Sequence, residues 1–348
     1  HVFAMLTPSS DIHGHINDVP VQIFTLKNKS GLVVKVSELG ANLTNVIMDG
    51  DELTLGYDTF EGWMKNTHYL GATCGRFGNR IAHGEFSINN QRYSLATNNT
   101  PGEIPCHLHG GDMGFHTKIW KGTPLNEANR QGVQFILQSP DGDEGYPGNL
   151  DVTVTYWLND DNELSWRAEA QTDQPTPVNL INHSYWNLSG NFNEPIIDHQ
   201  IQIHADYFLP TNTGMIPTGE IRSVTDTPMD FTRPQNIGKS INTDYDPINL
   251  AGGYDHCWIL RDHHDDNKKC HTAAIVQDPD SGRTLEVLTN QPGVQFYTGN
   301  FLSSPFKYRS GLCLETEGFP DAPNHPNFPS SILQPGETYR HDLIWKIS

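Results

Sequence analysis

The 348 residues lack the stretches that would name a function at once. There is no G-x-S-x-G turn to expose a nucleophilic serine and no Walker loop to hold a nucleotide phosphate. The glycines of 71–84 fit no dinucleotide fingerprint. Redox and phosphoryl-transfer chemistry thus lose their usual sequence support. No apolar run approaches the ~18 residues that a membrane-crossing helix needs. The opening HVFAMLTPSS has neither the basic start nor the long apolar stretch of a signal peptide, which leaves open only a segment removed before His1. Basic charge is scarce as well: 22 Lys and Arg stand against 41 Asp and Glu, a net charge of −19. Nucleic acid and anionic membrane surfaces, which are bound by clustered cations, are therefore excluded as partners. Cysteine is sparse and unpatterned. Cys74, Cys106, Cys257, Cys270 and Cys313 are odd in number and form no C-x-x-C, which favours reduced thiols in the cytosol over a disulfide framework. Five N-x-S/T matches, at Asn28, Asn42, Asn98, Asn182 and Asn187, keep a secreted alternative in view.

What the chain has in quantity is alternation. In DVTVTYWL the side chains of Val152, Val154, Tyr156 and Leu158 alternate with polar neighbours, and QIQIHADYFL repeats this with Ile201, Ile203, Ala205 and Tyr207. GLVVKV, GVQFILQ, AAIVQD, TLEVLT, VQFYTG and LIWKI are further short β-type runs, separated by turn signals such as DGDEGYPGN, DPDSG and QPGE. Helical segments are few; 59–66 and 234–241 each suit a turn or two. Strands without intervening helices exclude a parallel α/β sheet and predict an all-β fold, a large antiparallel β-sandwich. No linker or repeat divides the chain. One domain over 1–348 is expected, with 1–19 as an N-terminal extension and 261–271 as an exposed hairpin loop.

Five islands depart from plain strand or turn: GATCGRFGNRIAHGEF (71–86), HLHGG (107–111), NLINHSYWNLSG (179–190), GGYDHCWIL (252–260), and QPGVQFYTGN (291–300) leading into GLCLETEGFPDAPNHPNFPSSILQPGETYRH (311–341). Each has a structural reading beside a functional one. Arginine among glycines, as at Arg76 and Arg80, can simply close a loop on backbone carbonyls. His107 and His109 could share a strand face and hold a metal, yet no spacing completes such a site. What the islands supply is neutral His, carboxylates, Arg, Asn, Gln and aromatics, the means of binding a neutral polyhydroxylated molecule and moving its protons. An acid–base pair could be drawn from Glu315 or Glu317 of LETEG and from His183 of NHSYW.

Taken in order, the islands resemble the galactose mutarotase (aldose 1-epimerase) family from about residue 20 to the C-terminus. The resemblance rests on GRFGNRIAHGEF, HLHGG, NLINHSYWNLSG, GYDHCWIL, GVQFYTGN and the LETEG-to-PGETYRH stretch. It implies a galactose mutarotase-like β supersandwich and a cofactor-independent isomerase that interconverts the α and β anomers of free aldoses such as galactose and glucose. It further implies Glu315 as general base, His183 as general acid, and Asn79, Arg80, His109, Asp255 and Gln295 as sugar-binding residues, with no metal. Cys257, Trp258 and Trp186 depart mildly from the family pattern and bear on sugar preference. The expected partner is a small aldose, the expected assembly a monomer or weak homodimer, and the expected compartment the cytoplasm. The chemistry asks for a protonated His183 and an ionised Glu315, which ordinary pKa values of about 6.5 and 4.3 bring within reach and mutual stabilisation of the two charges favours. The alternatives are a hexose-6-phosphate 1-epimerase, a non-catalytic sugar-binding protein, and a metal-dependent β-barrel enzyme.

Overall fold

The alternating segments form strands, and nearly every regular element of the computed structural model is β. The structure describes residues 7–262 and 268–348. Nine antiparallel strands make the largest sheet, in the order Lys121–Glu127, Arg130–Ser139, Leu150–Asn159, Glu163–Thr172, Tyr339–Ile347, Thr284–Thr289, His271–Gln277, Gln200–Ile203 and Gln235–Asn236. Leu150–Asn159 shows why: Val152, Val154, Tyr156 and Leu158 are fully or almost fully buried while their neighbours face outward. A period of two can bury one face of a strand and only one.

Besides four two-stranded ribbons, the described residues form two five-stranded sheets. One runs from Ser9–Ile16 through Val19–Lys27, Val33–Ser37 and Asn42–Met48 to Asp51–Glu52. The other is ordered Arg222–Ser223, Ala205–Leu209, Asp255–Leu260, Gly293–Tyr297, Cys313–Glu317. A continuous apolar cluster joins all three: Phe24 and Val34 from the first small sheet, Val152 and Trp345 from the large one, and Trp258 and Phe296 from the second. This is the sandwich arrangement, sheets sharing a core between inner faces.

Several local expectations change. QIQIHADYFL reads as one strand, but it breaks at His204: Gln200–Ile203 belongs to the nine-stranded sheet and Ala205–Leu209 to the small one. The register shifts between Ala205 and Tyr207, so Tyr207 turns outward at 48% exposure and Phe208 takes the buried place. Irregularities of this kind re-aim side chains. The stretch 261–271 is no hairpin, since Asp255–Leu260 and His271–Gln277 lie in different sheets; residues 263–267 fall outside the described residues. Within 1–19, Ser9–Ile16 is a strand paired with Val19–Lys27. The helix expected over 59–66 is Phe60–Lys65, capped by Thr59 Oγ1 accepting from the Gly62 N–H. Residues 234–241 form a two-residue strand and a single 3₁₀ turn instead.

Candidate active site

Three neighbouring strands of the second small sheet carry three of the expected site residues. Pairing places Gln295 of Gly293–Tyr297 opposite Glu315 of Cys313–Glu317, and Asp255 begins the strand on the other side. The remaining residues come from loops laid across this sheet. His183 follows Ile181–Asn182, with its backbone clamped by its own N–H to the Ala72 carbonyl and by the Gly71 N–H to its carbonyl. Arg80 opens a short strand paired with Cys106–Leu108, which brings Asn79 and His109 side by side. All seven expected residues (Asn79, Arg80, His109, His183, Asp255, Gln295 and Glu315) line one cavity of about 640 Å³.

At its floor, His183 Nε2 stands 3.4 Å from Glu315 Oε1, and both side chains are buried. The residue pattern alone offers Glu315 and Glu317 alike, and the family resemblance selects Glu315. Glu315 lines the cavity, whereas Glu317 sits behind it, accepting hydrogen bonds from Asn79 Nδ2 at 3.0 and 3.2 Å. Gln295 donates through Nε2 to Asp255 Oδ1 at 2.8 Å, which leaves its Oε1 buried without a partner, as is Glu315 Oε1. Unpaired buried acceptors of this kind are costly unless a ligand supplies donors. Sugar hydroxyls are such donors.

His109 and Asn79 grip each other. The His109 N–H donates to the Asn79 carbonyl, and the Asn79 N–H donates to His109 Nδ1 at 2.9 Å. Both residues adopt positive φ to do so, 48° at His109 and 66° at Asn79. Because Nδ1 accepts, a neutral His109 carries its proton on Nε2. Burial, and then the charge of His183, hold His109 well below the usual imidazole range, so it is neutral. That tautomer bears on the metal reading. His109, His183 and Glu315 bring ligand atoms within 4.8 Å of one another. A metal-bound imidazole donates from its second nitrogen, but the second nitrogen of His109 accepts instead. This donor set does not fit a metal and does fit a hydrogen-bond donor to a ligand oxygen.

The structure also separates pairs that residue pattern alone leaves alike. The Arg76 guanidinium is buried and donates to the carbonyls of Ser139, Pro140, Pro147 and Gly148, the loop-closing role. Arg80 lines the cavity and donates to Asn99 Oδ1. His107 is bound to the Ala96 carbonyl and the Tyr146 hydroxyl, and His256 to the Pro247 carbonyl; both are structural. Sequence reasoning missed Tyr69, whose ring packs against His109, His116 and His183, and the cavity walls Tyr185, Tyr297 and Met215. Tyr185 and Tyr297 stand inside the NHSYW and VQFYTG islands, so proximity to the named residues was an available signal; Tyr69 and Met215 had none.

Electrostatics differ from the expectation of ordinary pKa values. Burial lowers His183 to about 3, and burial with the Asp255 carboxylate nearby pushes Glu315 well above 4.5, while Arg80 opposes the latter. Removing charges from water favours neutral forms. Burial thus favours the neutral pair at rest, His183 as imidazole and Glu315 with its carboxyl proton. Moving that proton across the 3.4 Å gap yields carboxylate and imidazolium without any change in total charge. A larger groove of about 730 Å³ on the nine-stranded sheet offers no comparable pair; its Asp342 is engaged by Arg167 and Arg340.

A β-sandwich presenting a histidine and a carboxyl at the floor of a polar, acceptor-rich cavity belongs to the class of acid–base enzymes acting on small polyhydroxylated molecules. Comparison with known proteins is specific. A family model described as "Aldose 1-epimerase" matches residues 22–346. The chain is 45% identical over 305 residues to the galactose mutarotase of Bos taurus, covering 85% of this chain and 84% of that one. It is 38% identical over 334 residues to the aldose 1-epimerase of Escherichia coli K12, covering 92% and 93%. The solved galactose 1-epimerase of Lactobacillus acidophilus superposes with a TM-score of 0.87 at 29% identity over 99% of both chains. The chain belongs to the aldose 1-epimerase family.

Proposed function

We propose that this chain is an aldose 1-epimerase, an isomerase that interconverts the α and β anomers of free hexoses such as galactose and glucose. Support comes from its relatives, and one observation carries the chemistry: His183 and Glu315 face each other 3.4 Å apart at the floor of the cavity. In the productive arrangement Glu315 is the carboxylate and His183 the imidazolium. Glu315 accepts the proton of the anomeric hydroxyl on C1 while His183 Nε2 donates a proton to the ring oxygen O5. The C1–O5 bond breaks, its electron pair stays with O5, and C1 becomes an aldehyde carbon. Rotation about C1–C2 presents the other face, and reversal of both transfers closes the ring as the opposite anomer. Proton count and charge are unchanged over the cycle. Each positioned transfer contributes on the order of 10²–10⁴-fold.

Arg80 and the His109 Nε2–H supply donors for negative charge developing on sugar oxygens, and Asn79, Asp255 and Gln295 take the remaining hydroxyls. The chain acts on the neutral sugar, without cofactor, metal, nucleic acid or membrane. Arg80 is the one arginine or lysine among the described lining residues, too little for a phosphate dianion. A hexose 6-phosphate is thus the weaker candidate. The shared core supports one domain over 1–348. All five cysteines are free, and Asn42, Asn182 and Asn187 of the five sequons are buried; both facts favour the cytoplasm over secretion. No described helix is long and apolar enough to cross a membrane. We assign a monomer or weak homodimer.

The test is anomerisation kinetics over galactose, glucose and glucose 6-phosphate. Acceleration of the free hexoses above the buffer rate, with the phosphate ester slower, is expected. Faster turnover of the ester would overturn the substrate assignment. Sugar binding by calorimetry without acceleration would make this a binding protein.

A further inference from the structure

The strand Cys313–Glu317 alternates like any other, so Cys313, Glu315 and Glu317 share one face while Leu314 and Thr316 point into the core and to His341. Same-face neighbours on a strand are ~6.8 Å apart. The His183 imidazole fills the gap between the first two. Its Nε2 faces Glu315 Oε1 at 3.4 Å, and its Nδ1 lies 3.5 Å from Cys313 Sγ. One strand therefore addresses both ring nitrogens, and the thiol is the hydrogen-bond partner of Nδ1.

We propose that Cys313 is a positioning residue for the acid–base step, its thiol holding the His183 ring so that Nε2 is the nitrogen that exchanges its proton with the sugar. The proposal rests on the acid–base reading above and concerns how the ring is held, which that reading leaves open. A catalytic histidine must keep one orientation through two protonation states. A carboxylate or carbonyl at Nδ1 can only accept, which fixes a proton there and raises the basicity of the ring. A thiol can both donate and accept by rotating its hydrogen. It accepts from Nδ1–H both when His183 is imidazolium and when Nε2 has given its proton to the sugar, since the neutral ring then keeps its proton on Nδ1. As a weak acceptor it leaves the imidazolium strongly acidic, which suits proton delivery to an ether-like ring oxygen.

The surroundings are consistent with this role. Tyr185 stacks on one side of the ring at 5.1 Å and Tyr69 lies 5.8 Å away at a similar tilt, while His109 meets it edge-on. His68 and His116 add only repulsion toward a protonated ring, so Glu315 is the carboxylate that faces it. Burial and the neighbouring Glu315 keep the Cys313 thiol far above its usual range. It stays S–H throughout and is no nucleophile.

The experiment measures galactose mutarotation against pH for the full chain, wild type beside Cys313→Ala and Cys313→Ser. Loss of the partner in Cys313→Ala should lower kcat roughly tenfold with KM within about twofold, the pattern of an interaction that matters in the transition state. The serine hydroxyl accepts more strongly, so Cys313→Ser should recover most of kcat and move the acid limb of the profile upward. Wild-type kcat and profile in both variants would overturn the proposal, as would equal impairment of both with an unmoved limb. Should the alanine variant not fold, the limb of the serine variant decides alone. Should the wild type itself not accelerate mutarotation, the functional reading fails instead.

Discussion

Arg76 and Arg80 stand four apart in one loop and do opposite work, which makes them a controlled comparison. Arg76→Ala orphans three buried carbonyls, of Ser139, Pro147 and Gly148, and should cost about 3 kcal/mol or more in chemical denaturation. Arg80→Ala should leave the folded state nearly as stable and raise KM for the sugar, measured on the same preparations. The buried carboxyls give a second test. Glu315 and Glu317 are both raised above 4.5 by burial, and Glu317 is raised further by Glu315. Below 4.5 each is protonated in folded and unfolded chains alike. As pH rises the unfolded chain ionises first, and stability is lost up to the folded pKa. Glu315→Gln and Glu317→Gln should therefore raise the melting temperature at about pH 8, with the gain vanishing near pH 4. Only Glu315→Gln should abolish activity. The residue pattern alone does not separate these two glutamates, because residues two apart on a strand share a face; the family resemblance selects Glu315, and the fold shows that it is the one that meets the cavity. Pattern alone is equally blind to Arg76 beside Arg80, since Arg76 takes its structural role from partners some 60 to 70 residues away.

Elements set the site's precision more than any one side chain. The turn after Phe319 carries Asp321, whose N–H donates to the Arg80 carbonyl and whose Oδ1 accepts from the Ala82 N–H and Asn324 Nδ2. Its Oδ2 meets His325 Nε2 at 2.9 Å. This carboxylate ties the DAPNH segment to the strand that presents Arg80. Asp321→Ala should cost about 2–3 kcal/mol by urea unfolding and raise KM with little change in kcat. Unchanged KM would mean that Arg80 is held by other means. At this scale the sequence was a good guide wherever a strand keeps its period. Arg130–Ser139, Thr284–Thr289 and Tyr339–Ile347 all lie where the apolar runs fell. It failed where one run feeds two sheets, as at His204, because a bulge leaves no mark on hydrophobicity. The helix Asp246–Ala251 was overlooked although Pro247 in its first turn and Gly252 at its left-handed cap are helix signals; six residues are too few for a visible 3.6-residue period.

At the scale of the whole molecule, the charge of −19 and the buried, nearly neutral site act separately. A neutral sugar feels no long-range steering. Hence kcat/KM for glucose should change by less than about twofold between low and roughly 1 M salt, where the Debye length falls to ~3 Å. A steep salt dependence would indicate an ionic substrate. The sandwich was legible from alternation and from the lack of helices, and the site from the motif islands in register. The protonation of the pair was not, since desolvation depends on the packing of Tyr69, Tyr185 and the sheet around it. The proposed mechanism has one exchangeable proton, shared by His183 and Glu315, open and close the sugar ring. It is tested most directly by polarimetry of freshly dissolved α-galactose with wild type, Glu315→Gln and His183→Ala, each shown to be folded by circular dichroism. The wild type should bring the rotation to equilibrium far faster than buffer, and each variant should be slowed at least ~10²-fold. Either variant running near the wild-type rate would contradict the account.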